Sequence, residues 1–302
     1  MPVTGRKVLA VITGASRGIG KEIALQLSKK VANGSAFLIT ARDSVRLGQL
    51  ETELLKNNNE LDIHVVISDA VNLNDANLAE MENAISAAIC KFSNNELDIH
   101  VVISDAVNLN DANLAEMENA ISAAILKAVK FESLVLVHNA GTTGDMTKRA
   151  VEISTAKEWH DFLQINLVAM ILINNLVLRK ITKEVASDRL IVNITSLLAI
   201  KSFPSFSQYA VAKAAREAFF RSLAVEDPSL RILNYSPGPV QTEMYAAIAV
   251  NSYDESVRAS FKQGNTDVTR KVLLPEETVA KMFSVLETNA FENGGRVDYF
   301  DD

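Results

Sequence analysis

Thr13-Gly14-Ala15-Ser16-Arg17-Gly18-Ile19-Gly20, close to the start of the chain, is the stretch whose reading decides the fold. Lys7 to Thr13, leading into it, is an apolar run with β-branched residues, as a strand buried on both faces requires. Beyond it, Ile19, Ile23, Ala24 and Leu27 fall at helical spacing, with Lys21, Glu22 and Lys29 on the other side. Strand, glycine turn and helix in this order let backbone N–H groups and a helix N-terminus face a pyrophosphate. An ordinary glycine-rich turn explains isolated glycines. The flanking strand and helix favour dinucleotide binding through Gly14, Ser16, Arg17, Gly18, Ile19 and Gly20. The fold expected is α/β, a Rossmann-like doubly wound parallel sheet of about seven strands flanked by helices.

The next strand bears on which dinucleotide binds. Ala36 to Ala41 is apolar and ends about 20 residues after the last glycine, where an acidic residue would grip a ribose 2′-hydroxyl. Ala41 and then Arg42 stand there instead, with Arg17 in the glycine loop. Two guanidinium groups suit a 2′-phosphate, because their forked donors match phosphate oxygens. NADP(H) is therefore the cofactor expected. Asp43, the one acid nearby, is expected to point to solvent or cap the following helix.

A second stretch carries the chemistry. Leu190 to Thr195 reads as a buried strand that delivers Ser196 at its C-terminal end, where open α/β sheets place their ligands. Tyr209 and Lys213 lie four apart in a strongly helical run and so share a face. An ammonium beside a phenol lowers the phenol's pKa and makes it a usable acid. Singly, each has a plain structural explanation: a chance helical pair, a turn cap, a buried asparagine satisfying backbone.

Taken in order and spacing, these segments resemble the short-chain dehydrogenase/reductase family over nearly the whole chain. Asn166, in Phe162-Leu-Gln-Ile-Asn-Leu167, resembles the family's asparagine that holds a proton-relay water. His138-Asn139-Ala140-Gly141 resembles its Asn-Asn-Ala-Gly turn, with His138 departing at the first position. Pro237, Gly238 and Thr242, after the strand Arg231 to Tyr235, match the segment that lies over the nicotinamide. The resemblance implies a catalytic set of Ser196, Tyr209, Lys213 and Asn166. It also implies cofactor contacts from Asn139, Ala140, Gly141, Tyr209, Lys213, Pro237, Gly238 and Thr242. In such an enzyme Tyr209 protonates the carbonyl oxygen while Ser196 hydrogen-bonds it, and Lys213 tunes Tyr209 and binds the ribose.

The tail Gly294-Gly295-Arg296-Val297-Asp298-Tyr299-Phe300-Asp301 narrows the substrate. It resembles the pterin-reducing branch of the family, as do Tyr235-Ser-Pro-Gly-Pro239 and Gln241-Thr-Glu-Met244. A tail aspartate anchors the pterin in that branch, and Asp298 is the match. A carboxylate can accept a pterin's amino group and adjacent ring N–H together, a charge-assisted pair of about 1.5–3 kcal/mol. Ser196 and Tyr209 complete the substrate contacts. A surface acid beside Asp301 and Asp302 is the plain alternative. A general carbonyl or diketone reductase, and a non-catalytic NADP(H)-binding protein impaired by the repeat described next, stand as rival functions.

Residues 58–89 recur unchanged as 94–125, an offset of 36. Removing one copy from 302 residues leaves 266, the size expected of the family, and shortens the Gly14-to-Asn139 spacing from 125 to 89. Each copy reads as one strand-helix unit, and a doubly wound sheet has one place for it. The extra strand must pair elsewhere, displace its twin or stay loose. The short exit into Leu134-Val-Leu-Val-His138 is more constrained than the approach from Leu54, which favours the second copy in the sheet. A candidate adenine-binding aspartate occurs in both copies, as Asp69 and Asp105. A repeat of two units is not a solenoid.

Composition sets the remaining bounds. A chain that is 48% hydrophobic can bury a large core, and no linker-like or low-complexity run divides residues 1–302, so one domain is expected. A net charge of −7 argues against nucleic acid as a partner. The single Cys90 fits a reducing, cytoplasmic compartment, and one cysteine with four scattered histidines offers no metal site. No signal-peptide pattern is present, and the apolar run Leu167 to Leu178 is too short for a membrane span. Apolar faces on Trp159 to Val177 and Tyr209 to Leu223 match helices that pair across a dimer interface in the family, so a homodimer is implied.

Overall fold

Val8–Thr13 forms β1 and is buried at every position, as a continuous apolar run must be in a strand covered on both faces. The computed structural model describes residues 3–67, 79–86, 101–102, 130–264 and 271–301. Asp69 and Asp105 lie outside the described residues.

The remaining strands are β2 (Ala36–Ala41), β3 (Asp62–Ile67), β4 (Val101–Val102), β5 (Phe131–His138), β6 (Ala186–Ile194), β7 (Leu230–Ser236) and β8 (Arg296–Asp298). They form one sheet in the order β4-β3-β2-β1-β5-β6-β7-β8, with every neighbouring pair parallel. The chain runs outward from β1 to β2 and β3, then resumes on the other side of β1 with β5. That reversal opens a crevice at the C-terminal ends of β1 and β5, where doubly wound sheets bind ligands.

Alternate residues of β1 serve opposite faces, as the two-residue period of a strand dictates. Val8, Ala10 and Ile12 pack with Ile23 and Leu27 of helix α1 (Gly18–Ser28), Leu47 and Leu54 of helix α2 (Ser44–Asn57), and Met282 and Phe283 of the helix Pro275–Thr288. Leu9 and Val11 pack on the other face with Met81, Ala84 and Ile85, and with the helices Ala169–Lys180 and Ser207–Glu226. Burial of these side chains contributes about 1.5–3 kcal/mol for each large aliphatic group.

The repeat is accommodated differently from the expectation. The first copy, not the second, pairs with β2: β3 matches it over six residues, from Ala36↔Asp62 to Ala41↔Ile67. Helix α2 leads into β3 through a short turn closed by Gly34 N–H to Glu60 O and Asp62 N–H to Ser35 O. The approach is thus held by backbone hydrogen bonds. Helical residues 79–86 of the same copy cover the sheet. The second copy adds β4 at the sheet edge, giving eight strands among the described residues where about seven are expected. Its register is Val65↔Val101 and Val66↔Val102, so each valine lies beside its own duplicate.

The helix through Ala156–Lys180 is also longer than the run seen in sequence. Its 25 residues include an 18-residue window with a mean hydropathy of 1.7, long and apolar enough to cross a bilayer. Met170, Ile173, Leu176 and Val177 from it are buried against the sheet, the placement of a core helix.

Candidate active site

The Gly14 turn sits where the sequence places it, between β1 and α1. Gly14 has φ +67°, and a Cβ there would lie 2.9 Å from Ala140 Cα. A Cβ on Gly20 would lie 2.3 Å from Gly14 O, closer than any side chain tolerates. The turn is locked from β5: Asn139 Nδ2 donates to Gly14 O at 3.0 Å, and Thr13 Oγ1 accepts from the N–H groups of Asn139 and Ala140. These bonds hold the loop open above the N-terminus of α1. Glycine at 14 and 20 is required by this internal packing, and the turn it makes stands at the N-terminus of α1, a position that suits a dinucleotide phosphate.

At the outer end of the cleft, Arg42 is exposed and Asp43 caps α2 by accepting from Arg46 N–H at 3.0 Å. Arg46 was not singled out from sequence. It lines the same cleft as Arg42, and with Arg17 it grips Glu243, so three guanidinium groups line this end of the cleft. Thr242 caps the helix Glu243–Asn251 by accepting from Tyr245 N–H, and its methyl would meet a Cβ on Gly18 at 3.2 Å. Pro237, Gly238 and Thr242 therefore form the rim opposite the glycine turn.

A cleft of about 1580 Å³ runs from these arginines to Ser196 and Tyr209, and on to Asp298. Ser196 follows β6 and accepts from Leu198 N–H at 3.2 Å. Tyr209 and Lys213 share a face of the Ser207–Glu226 helix, with Lys213 Nζ 5.3 Å from the tyrosine ring centroid. Lys213 Nζ donates to Ile194 O at 2.6 Å. Asn166 lies in a π-turn, Gln164–Val168, a local widening of the helix that often marks a functional position. Its Oδ1 accepts from Thr142 N–H at 2.8 Å and its Nδ2 donates to Phe162 O at 3.0 Å. Among the described residues no direct hydrogen bond joins Asn166 to Lys213.

The electrostatics differ from the expectation that Lys213 lowers the Tyr209 pKa. Burial pushes the Tyr209 phenol up to about 12, and the opposing influences are the Arg216 charge and the Ser196 hydrogen bond. Lys213 itself is pushed well below its usual value, first by burial and then by Arg216, with Glu217 opposing. Lys213 is buried and Tyr209 half-buried at the cleft, and the phenol is held protonated at neutral pH.

Arg216 is a residue that sequence reading missed. It lies one turn beyond Lys213, is almost wholly buried, and donates to Asn193 Oδ1, Ala140 O and His138 O at 2.8, 3.1 and 2.7 Å. It holds the β5 turn and adds a positive charge beneath the site. Burial lowers its own pKa to about 10. His138, the departure from the family turn, is buried against Phe220 and Asn174, and burial followed by Arg216 drives its pKa down to about 3.

Asp298 reaches the far side of the cleft with its carboxylate already engaged. Oδ2 accepts from Ser236 Oγ at 2.6 Å and faces Arg296 Nη2 at 3.4 Å, while Oδ1 accepts from Phe300 N–H at 3.1 Å. A carboxylate has about four acceptor positions, so capacity for a ligand remains. Phe206, Phe261, Tyr245 and Phe203 make the intervening wall apolar and aromatic. Among the described residues no cluster of His, Cys, Asp and Glu could hold a metal ion.

A parallel doubly wound sheet with a serine, tyrosine and lysine at its carboxyl edge defines a class, and comparison agrees. The short chain dehydrogenase family matches residues 102–252, which contain Asn166, Ser196, Tyr209, Lys213 and the Pro237–Thr242 rim. The chain belongs to this family of oxidoreductases. Within it, the chain is 27% identical to sepiapterin reductase of Rattus norvegicus, covering 97% of this chain and 96% of that one. It is 29% identical to sepiapterin reductase of Xenopus tropicalis over the full length of both. Among solved structures, levodione reductase superposes with a TM-score of 0.69 at 18% identity, covering 98% of this chain and 96% of its own. A short chain dehydrogenase of Shigella flexneri complexed with NADP gives 0.67 at 18% identity, with 99% of each chain covered.

Proposed function

We propose that this chain is an NADPH-dependent reductase of a pterin side-chain ketone, of the sepiapterin or 6-pyruvoyl-tetrahydropterin type, acting in tetrahydrobiopterin biosynthesis. The observation that carries the reading is one cleft with Tyr209 and Ser196 in its floor, an aromatic wall, and Asp298 beyond it. NADPH, when bound along the glycine turn and the three arginines, supplies the hydride. Tyr209, protonated at neutral pH, donates its phenolic proton to the ketone oxygen. Ser196 Oγ donates a hydrogen bond to that oxygen and stabilises the charge developing on it, an effect of about 2.7–4 kcal/mol where such a donor is removed. Arg216 supplies positive charge beneath the phenol as its proton leaves, with Lys213 Nζ held 5.3 Å from the ring centroid. Asp298 accepts from the pterin's amino group and ring N–H, and the aromatic wall excludes water from the flat ring.

Incubation of the chain with sepiapterin and NADPH, followed by chromatography of the pterins, tests this. Stoichiometric appearance of a side-chain alcohol supports it; unchanged sepiapterin beside consumed diketone refutes the pterin assignment.

That second result matches a rival reading, a broader carbonyl or diketone reductase, which the prior engagement of Asp298 by Ser236 and Phe300 favours. Chain similarity extends to a benzil reductase of Bacillus cereus, at 26% identity over 94% of this chain and 96% of that one. Asp298→Ala separates the two: anchoring requires a KM increase for the pterin ketone far above that for a simple diketone.

A cytoplasmic homodimer accompanies the proposal. Val168, Val211 and Val225 are exposed on the two helices that the family pairs, which supports it, and a monomeric mass in solution would refute it.

A further inference from the structure

We propose that Arg296 is a positioning residue that fixes the distance between the carbonyl-binding serine and the substrate-anchoring aspartate. The inference rests on the pterin-ketone reading and deepens it. One guanidinium group reaches three elements. Arg296 Nη1 donates to Ser196 O at 2.8 Å and to Glu217 Oε1 at 2.6 Å, while Nη2 faces Asp298 Oδ2 at 3.4 Å. Glu217 lies one turn past Lys213, and its side chain is 4% exposed. The same Oε1 accepts from Thr195 Oγ1 at 2.6 Å, so the end of β6 is held twice. Arg296 and Asp298 are side chains of one short strand, β8, set two residues apart on the same face.

The consequence is selectivity by span. Ser196 binds the reacting oxygen of any ketone. Asp298 meets only a substrate long enough to cross the cleft. Arg296 ties the two groups to the Ser207–Glu226 helix, so their separation is set by one planar fork rather than by two flexible contacts. Lysine, a point charge on a flexible stem, cannot satisfy all three acceptors from one position. Glu217, buried, ensures that the guanidinium is not drawn wholly onto Asp298, which leaves that carboxylate able to accept from a ligand.

The test uses the full chain with saturating NADPH, sepiapterin as the long ketone and 2,3-butanedione as the short one. The variants are Arg296→Met, Arg296→Lys, Asp298→Asn and the double variant Arg296→Met/Asp298→Asn. NADPH binding by fluorescence monitors the fold. Arg296→Met is expected to raise KM for sepiapterin about tenfold, the value of one charge-assisted bond, with less than about threefold change for butanedione. It is expected to lower kcat for both ketones about tenfold through displaced Ser196. Adding Arg296→Met to Asp298→Asn should raise the sepiapterin KM no further, because the first acts through the second. Arg296→Lys keeps a cation against Glu217 should the methionine variant not fold, and is expected to retain the split in KM. Equal KM changes for both ketones, additive KM effects in the double variant, or complete rescue by lysine would overturn the proposal. Wild-type turnover of butanedione but not sepiapterin would instead refute the pterin reading, and the span argument with it.

Discussion

Lys213 Nζ lies 5.3 Å from the centre of the Tyr209 ring and donates its hydrogen bond to Ile194 O, not to the phenol. The helix sets the pair four residues apart, and β6 fixes the ammonium through a backbone carbonyl. The lysine is therefore held rigidly beside a phenol that burial keeps protonated.

That protonation state sets a pH dependence. Reduction needs the Tyr209 proton, and the Tyr209 pKa stands at about 12. Loss of the proton thus weakens reduction only as pH rises toward that value. Steady-state kcat for the ketone should show no alkaline limb with a midpoint between pH 7 and 9. A limb in that interval that disappears in Tyr209→Phe would contradict the placement.

The arginine cluster predicts cofactor preference. Arg42→Ala should raise KM for NADPH about tenfold and leave NADH within about twofold, since only the 2′-phosphate is lost as a partner. Arg46→Ala should shift the same way by less, because that guanidinium is shared with Glu243. Equal effects on NADPH and NADH would place the phosphate elsewhere.

His138 predicts an acid limb in stability. Its folded pKa of about 3 lies below the ordinary value of 6.5, so as pH falls through 6.5 the unfolded chain takes up a proton that the folded chain refuses. Stability is therefore unaffected above pH 6.5 and declines below it, by up to about 1.4 kcal/mol per pH unit from this group. Urea unfolding of His138→Asn between pH 7 and 4.5 should show a shallower decline than the parent. Identical slopes would show that His138 is not held neutral.

The repeat predicts that one copy is enough. Deleting residues 58–93 leaves a single copy whose strand can pair with β2 in the present register. The 266-residue chain should bind NADPH and reduce the same ketone with kcat within about threefold of the parent, since long surface insertions alter closure free energy little. It should also aggregate less on heating, because the in-register edge at β4 is gone. Loss of NADPH binding on deletion would mean that the second copy completes the site.

What was legible in sequence was local. β1, its glycine turn and α1 follow from a change in hydrophobic period across a dozen residues, and the Tyr209–Lys213 pair from helical spacing. The longer-range features were not legible. Arg216 meets Ala140 across 76 positions and Arg296 meets Ser196 across 100, so neither has a local pattern. Nor does sequence carry the Tyr209 pKa, because burial, a property of packing, outweighs the neighbouring charge. The choice between identical copies is hidden for a related reason: the turn from α2 into β3 holds the first copy beside β2 through backbone bonds that no side-chain pattern announces.

The most direct measurement is NADPH oxidation by the full chain with sepiapterin, run beside Tyr209→Phe of equal NADPH affinity. Turnover by the parent and a loss of at least about a hundredfold in the variant, the scale of general acid catalysis, is the predicted result. Equal turnover by the two proteins would contradict the assignment of Tyr209 as the proton donor.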